Sequence, residues 1–283
     1  MPADVGFHWV MLNDYDRNAA YRAAISRIAS GRIVYDLGAG VGPMSYYALT
    51  AGARRVYAFE VDPDAYPYLT RLTRTFPNFR ALRTDVTRER LPREAPELVV
   101  CEMWSAWLTE WPMIKTLNRI RRRAAGVRVI PARAYHCVQL VQARHRAELP
   151  IEFAAHAEAT LFNDACAVGE MSLPALACKT DFQRLVGPVD VGVEITPLTT
   201  GTVNAVRLYS YEEVSAGLIL PRLQTRADEL VRWLPPMRVR RGRPIRLRSD
   251  TVGTPAFASG QSDRPISGAR RPRQDIERNR ANS

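Results

Sequence analysis

Short β-branched runs alternate with amphipathic stretches from Arg32 to about Arg133. Ile33 to Leu37, Arg55 to Val61, Arg80 to Asp85 and Glu97 to Cys101 each read as a strand. Apolar residues at helical spacing follow the first of these (Met44 to Ala51), the second (Ala65 to Phe76) and the fourth (Met113 to Arg123). Parallel neighbours need a crossover, so this alternation predicts βαβ units and a parallel sheet. After Ile130-Pro131 the period changes to two. Tyr135 to Ala143, then Val189, Val191, Val193 and Ile195, then Thr202 to Tyr211 alternate along one face, and Met237, Val239, an Arg241-Gly242 turn, Ile245 and Leu247 predict a hairpin. From Asp250 onward apolar residues nearly vanish, and the tail is expected to be disordered. The expected class is α/β, with an α/β unit over 1–132, a β-rich unit over 133–249 and a tail over 250–283.

The chain has 283 residues, 46% hydrophobic and 24% charged, enough for a sizeable core. No run approaches the roughly 18 apolar residues of a membrane helix. Met1 to Val10 lacks the basic start and apolar run of a secretory signal, so a cytoplasmic location is expected. Cys101, Cys137, Cys166 and Cys178 form neither a metal-ligand spacing nor a disulfide framework. His136, His145 and His156 have no acid or cysteine at ligand spacing and read as structural, so no metal is expected. The net charge is +11, but only Lys115 and Lys179 are lysines. Such one-sided use of arginine reads as compositional bias, and a nucleic-acid partner is not expected.

Tyr35-Asp36-Leu37-Gly38-Ala39-Gly40-Val41-Gly42-Pro43 leaves a strand and opens a helix, with glycines where a backbone must approach a ligand. A tight βα connection needs no ligand for the same pattern. Glu60, ending the next strand, is placed to accept both ribose hydroxyls of an adenosine cofactor. A dinucleotide fingerprint wants its third glycine where Pro43 stands, which disfavours NAD. Glycines at Gly38, Gly40 and Gly42 behind Asp36 suit a cofactor with an amino-acid tail, such as S-adenosyl-L-methionine. Asp85 then accepts from the adenine amino group and the Val86 amide meets a ring nitrogen. The alternative for Asp85 is a helix cap.

The segment His8-Trp9-Val10-Met11-Leu12-Asn13-Asp14-Tyr15-Asp16-Arg17-Asn18-Ala19-Ala20-Tyr21 resembles the helix before the cofactor loop in the protein arginine N-methyltransferase family. Val34 to Glu60, Ala53 to Tyr57 and Cys101-Glu102-Met103-Trp104 extend the similarity over residues 8 to 133. Val206 to Glu213 and Glu229 to Pro236 carry it more loosely into the second half. The resemblance implies a divergent class I methyltransferase, with a Rossmann-like cofactor domain followed by a smaller β-barrel-like substrate domain. On one helix Asp14 and Arg17 face the same way, so Arg17 suits the cofactor carboxylate while Asp14 holds the guanidinium. His8 and Met11 share that stripe, and His8 is expected to reach the ribose.

Glu102, at the carboxyl end of a strand, and Glu110, in a loop with Trp104, Trp107 and Trp111, are the expected catalytic pair. Two carboxylates can hold a planar guanidinium and leave one nitrogen electron-rich for attack on a sulfonium methyl. The sequence departs from the family here. Its glutamates are eight steps apart instead of nine, Thr225-Arg226-Ala227 stands for the family's Thr-His-Trp, and the short segment before His8 leaves out its aromatic lid. The expected function is S-adenosylmethionine-dependent N-methylation of an arginine guanidinium, on a protein or on free arginine. Methylation of another small metabolite and a catalytically silent scaffold are the alternatives. A homodimer is expected from the family, although the stretch matching its dimer arm, roughly Leu149 to Val186, is short.

Overall fold

The computed structural model of the chain describes residues 6–103, 111–146, 148, 160–162, 166–187, 191–220, 230–249 and 257–260. Helices α1 (Gly6–Asn13) and α2 (Tyr15–Ser26) precede β1 (Ile33–Leu37), α3 (Pro43–Thr50), β2 (Arg55–Glu60), α4 (Tyr66–Thr75), β3 (Phe79–Arg83), β4 (Leu98–Cys101), α5 (Trp111–Arg123) and β5 (Arg128–Ile130). The five strands are parallel in the order β3-β2-β1-β4-β5. Every residue of β1 and β4 is buried, because helices cover both faces of a parallel sheet. Val34, Val56 and Val100 point into one core with α2 and α3, whereas Ile33, Tyr35, Leu37 and Val99 point into the other with α5. Each fully buried valine or leucine contributes ~1.5–3 kcal/mol. The strand order reverses between β1 and β4, which opens a crevice at their carboxyl ends.

The second half comprises β6 (Arg133–His145), β7 (Thr160–Phe162), β8 (Cys166–Glu170), β9 (Ala175–Asp181), β10 (Val191–Ile195), β11 (Gly201–Ser215), β12 (Leu218–Leu220), β13 (Leu230–Val239), β14 (Ile245–Ser249) and β15 (Phe257–Gly260). A seven-stranded sheet runs β7-β13-β11-β6-β8, with β12 on β11 and β9 on β6, and a three-stranded sheet runs β10-β14-β15. Val138, Leu140, Val206, Leu208 and Leu234 of the larger sheet pack on Val193, Ile195, Ile245 and Leu247 of the smaller one. This is a barrel-like, face-to-face packing.

Four expectations change. The segment from His8 to Tyr21 is two helices, since Asp14 leaves helical geometry (φ −76°, ψ 90°) and caps α2 with its own side chain. The Arg241-Gly242 turn does not close a hairpin. It carries the chain from β13, paired with β11, to β14, paired with β10 and β15, and it rests on the matching corner of the other crossing through Gly242 N–H to Pro197 C=O at 2.9 Å. Within the segment expected to be a disordered tail, Phe257–Gly260 adds a strand to β14. Its backbone pairs along the edge without needing many apolar side chains. The described parts of the stretch from Leu149 to Val186 are no projecting arm, because β7, β8 and β9 pair with β13 and β6.

The two halves meet through β11. Its inward stripe begins in the barrel with Val206 and Leu208, continues through Ser210 and Glu212, and ends at Val214, which with Leu220 belongs to the core around α2 and α3. At the Ser210 level His136 is fully buried, with Nδ1 2.8 Å from Ser210 Oγ and Nε2 3.0 Å from Thr180 Oγ1. Burial pushes its imidazole down to about 3. The unfolded chain takes up this proton below about 6.5, the folded chain only near 3, so stability falls as pH drops through that window. Denaturant titrations of His136→Gln are expected to show a shallower loss of stability between pH 6.5 and 4 than the wild type. Equal slopes would mean that the proton is taken up elsewhere.

Candidate functional site

The Gly-rich loop joins the carboxyl end of β1 to α3. Gly38, Gly40 and Gly42 have φ of 67°, 55° and 98°, a region that side chains rarely adopt. Gly42 caps α3 and Pro43 takes its first turn, where a missing N–H costs nothing. The loop is braced by Ala39 N–H to Phe59 C=O at 2.9 Å and by Gly40 N–H to Glu60 Oε2 at 2.6 Å. Glu60 Oε1 also accepts from the Val61 and Asp62 amides at 2.8 and 2.7 Å. These bonds fix the carboxylate, and Oε2 retains a lone pair for a further donor.

Beneath the loop Asp36 is buried and accepts from Ser45 Oγ at 2.6 Å. Burial pushes its carboxyl up to about 6 against the Ser45 hydrogen bonds, which favour the anion. Over the loop lie two side chains. A Cβ at Gly40 would fall 2.8 Å from His8 Nδ1, and one at Gly38 would collide with Met103. His8 Nε2 lies 3.7 Å from Asp62 Oδ2. The glycines thus form a cradle in which the Met103 and His8 side chains lie, and a Cβ at either position would strike them.

Arg17 and Glu102 meet across the crevice. Arg17 Nε donates to Glu102 Oε1 and Nη2 pairs with Oε2, a side-on fork in which the two residues are 3% and 12% exposed. Arg17 Nη1 donates to Met11 C=O at 3.3 Å and to Asn18 Oδ1 at 3.0 Å. Four of the five guanidinium N–H groups thus have partners among the described residues, and one Nη2 hydrogen is left for an anion. Asn18 Nδ2 in turn donates to the Met11 and Leu12 carbonyls, which pins the corner between α1 and α2. Burial lowers the Arg17 pKa, and Tyr21, Glu212 and Asp14 act in the opposite direction.

Asp14 does not grip the guanidinium as the single-helix reading supposed. Its Oδ1 accepts from the Arg17 backbone N–H at 3.0 Å. Its Oδ2 is buried with no hydrogen-bond partner among the described residues. Met11 contributes its carbonyl, not its side chain, to the Arg17 contacts. Asp85 lies at the end of the β3 segment, where its carboxylate accepts from Thr87 N at 2.9 Å and Thr87 Oγ1 at 2.6 Å. These bonds make it the cap of its own turn, and the Thr87 hydroxyl leads in holding its pKa low. Val86 is buried in the core, with its carbonyl accepting from Arg119 Nη2 at 2.5 Å.

His8, Met11, Asp14, Arg17, Asp36, Gly38, Gly40, Glu60 and Glu102 therefore gather around one crevice. Glu110, with Trp104 and Trp107, lies outside the described residues, as do Thr225, Arg226 and Ala227. Three residues escaped the sequence reading: Met103 over Gly38, Asn18 at the helix corner and Glu212, whose Oε2 accepts from Tyr21 Oη at 2.7 Å. Met103 follows Glu102 directly, and Asn18 follows Arg17. Glu212 gave no local signal, since its partner is 191 positions away. Among the described residues no group of three or more metal-ligating side chains is found, and no helix is long and apolar enough to cross a membrane.

No protein-family model matches the chain. It is 32% identical over 144 residues to an uncharacterised protein of Methanocaldococcus jannaschii, covering 49% of this chain and 55% of that one. It is 33% identical over 119 residues to human protein arginine N-methyltransferase 9, covering 39% and 14%. With the arginine N(omega)-methyltransferase of Streptomyces achromogenes it shares 43% identity over 58 residues, covering 20% and 16%. The matches thus span about half the length of the first relative and a small part of the others. In fold, the chain is similar to the Trypanosoma brucei PRMT1 enzyme-prozyme heterotetrameric complex with AdoHcy, with a TM-score of 0.69 and 18% identity over 87% of this chain and 88% of that one. The chain is thus similar over part of its length to protein arginine N-methyltransferases, and its fold, a Rossmann-like sheet followed by an antiparallel barrel-like domain, is similar to that of the matched PRMT1 chain.

Proposed function

We propose that the chain is an S-adenosyl-L-methionine-dependent N-methyltransferase acting on an arginine guanidinium. The observation that carries this reading is the Arg17–Glu102 fork beside the glycine cradle, at the point where the strand order reverses. The residues present fit the cofactor. Gly38 and Gly40 keep the loop backbone bare beneath Met103 and His8, Glu60 offers a lone pair to ribose hydroxyls, and Arg17 keeps one N–H for a carboxylate. Asp36 lies below the loop for an ammonium group, and His8 closes over Gly40. Asp85 and Val86 are proposed at the adenine end, where the Thr87 bonds already orient the Asp85 carboxylate. When bound, the cofactor supplies an electrophilic methyl group on a sulfonium.

The rest falls to the protein. Glu102 stands at the carboxyl end of β4 with its carboxylate oriented by Arg17, and it would hold the acceptor guanidinium by charge-assisted hydrogen bonds. Concentrating the acceptor's positive charge on the held nitrogens leaves the remaining one nucleophilic. Glu110 is proposed as the second carboxylate of this clamp, with Asp14 and Met11 fixing Arg17 from behind. Preorganised charge and in-line positioning then account for most of the rate. The acceptor is a protein arginine or a small guanidine such as free arginine. Thr225-Arg226-Ala227 in place of the family's Thr-His-Trp favours the smaller acceptor, because the His and aromatic wall of that stretch are missing.

Mass spectrometry after incubation with deuterated-methyl cofactor and an arginine–glycine peptide, L-arginine or a metabolite extract should show the label on a guanidinium nitrogen. Glu102→Gln is expected to lower turnover by about 10²- to 10³-fold while S-adenosylhomocysteine binding stays near wild type. Wild-type turnover in that variant, or label only on non-guanidine acceptors, would contradict the proposal. Asp36 gives a second test. Its folded carboxyl titrates near 6 and an unfolded one near 3.8, so the folded chain holds a proton that the unfolded chain releases, and stability declines as pH rises through that window. Asp36→Asn should therefore melt higher than wild type at pH 8, by roughly a few degrees, with little difference at pH 4. Calorimetry should show the same variant losing cofactor affinity; unaltered affinity would remove Asp36 from the cofactor site.

A further inference from the structure

Arg17 serves as the cation for more than one acid. Its guanidinium lies over the Tyr21 ring, with Cζ 5.6 Å from the centroid, and Tyr21 is fully buried. The Tyr21 hydroxyl donates to Glu212 Oε2 at 2.7 Å. Glu212 is 6% exposed and comes from β11, so the barrel domain delivers a carboxylate to the underside of the Arg17 platform. Asp14, 4% exposed, approaches from the α2 cap. Two acids, Glu102 directly and Glu212 through the Tyr21 hydroxyl, thus bear on one guanidinium in a buried junction between the two domains, while Asp14 holds the Arg17 backbone.

A lone Arg17–Glu102 pair would be neutral and would offer little attraction to a cationic acceptor. Where the Arg17 charge also bears on Glu212, less of it is spent on Glu102, and low-dielectric surroundings strengthen the field of the Glu102 carboxylate that remains. Tyr21 couples the parts, since its hydroxyl is fixed by Glu212 and its ring supports Arg17. Burial and Glu212 keep that hydroxyl protonated and hence a donor.

We propose that Glu212 is a positioning residue that shares the charge of Arg17 with Glu102, through the Tyr21 contact, and so leaves Glu102 anionic toward a cationic acceptor. This rests on the methyltransferase reading and adds a specificity role for the barrel strand. Glu212 touches neither acceptor nor cofactor in this scheme. It acts through Tyr21 and Arg17. Its loss should weaken capture of the cation without weakening the cofactor, whose carboxylate gains from having fewer anions near Arg17.

The test compares wild type, Glu212→Gln and Tyr21→Phe. Glu212→Gln keeps an oxygen for the Tyr21 hydroxyl and removes the charge. Tyr21→Phe keeps the ring beneath Arg17 and removes the bond. Both are measured for S-adenosylhomocysteine affinity by calorimetry, for melting temperature, and for kinetics with an arginine–glycine peptide or L-arginine, whichever the wild type methylates. In Glu212→Gln the acceptor KM should rise about ten-fold, with cofactor Kd within two-fold of wild type and the melting temperature retained. Tyr21→Phe should raise KM by a smaller factor, because the charge remains. An unchanged acceptor KM in Glu212→Gln overturns the proposal, as does a joint loss of cofactor affinity and melting temperature, the mark of a purely structural contact. If wild type binds S-adenosylhomocysteine and methylates a guanidine while Glu212→Gln is indistinguishable from it, this proposal fails alone. If wild type does neither, the methyltransferase reading fails and takes this one with it.

Discussion

The side-on pairing of Arg17 with Glu102 is the constraint around which the crevice is organised. Both groups are nearly removed from water, and a buried ion pair of this kind is worth keeping only when its remaining hydrogen-bond capacity is also met. Here the Met11 carbonyl and Asn18 Oδ1 take the Nη1 hydrogens and leave one Nη2 hydrogen over, and Asn18 in turn fixes the α1–α2 corner. Removing one member would strand the other, at about 3–5 kcal/mol by the usual measure of buried pairs. The entry helices, the end of β4 and the glycine loop therefore hold their places together. Met103, next to Glu102, lies on Gly38, and His8, from the same entry segment, lies on Gly40.

This junction also explains why the two halves are not independent. β11 is 15 residues long, and its inward side chains pass from one hydrophobic core to another. Polar side chains occupy the gap: Ser210 bonded to His136, then Glu212 bonded to Tyr21. Arg133 and Tyr135 bind the neighbouring Glu213 at 2.7 and 2.8 Å, on the other side of the strand. A long strand anchored at both ends by apolar packing can hold charged groups between them at fixed positions. That rigidity lets a barrel residue influence a guanidinium on the opposite domain.

Much of the first domain was legible in the sequence because its signals are local. The β1 strand was bounded to the residue, and the glycine loop, Glu60 and Glu102 were placed by strand ends alone. What misled was also local. Asp14 sits among helix-compatible neighbours, and nothing nearby shows that its carboxylate will take the Arg17 amide and break the helix in two. The Arg241-Gly242 turn looks like a hairpin because the apolar alternation on either side cannot reveal that the flanking strands belong to different sheets. Phe257–Gly260 shows that an edge can recruit a strand through backbone hydrogen bonds, which leave little trace in composition. Glu212 was hidden for a third reason: its meaning depends on a partner supplied by a distant helix.

A crystal structure of the chain grown with S-adenosylhomocysteine tests the role proposed for the crevice most directly. The expected density places the ribose hydroxyls on Glu60 and the carboxylate on the remaining N–H of Arg17, with the Glu102 carboxylate turned toward the sulfur. Density elsewhere on the molecule, or a Glu102 side chain facing away from a ligand bound in the cradle, would contradict it.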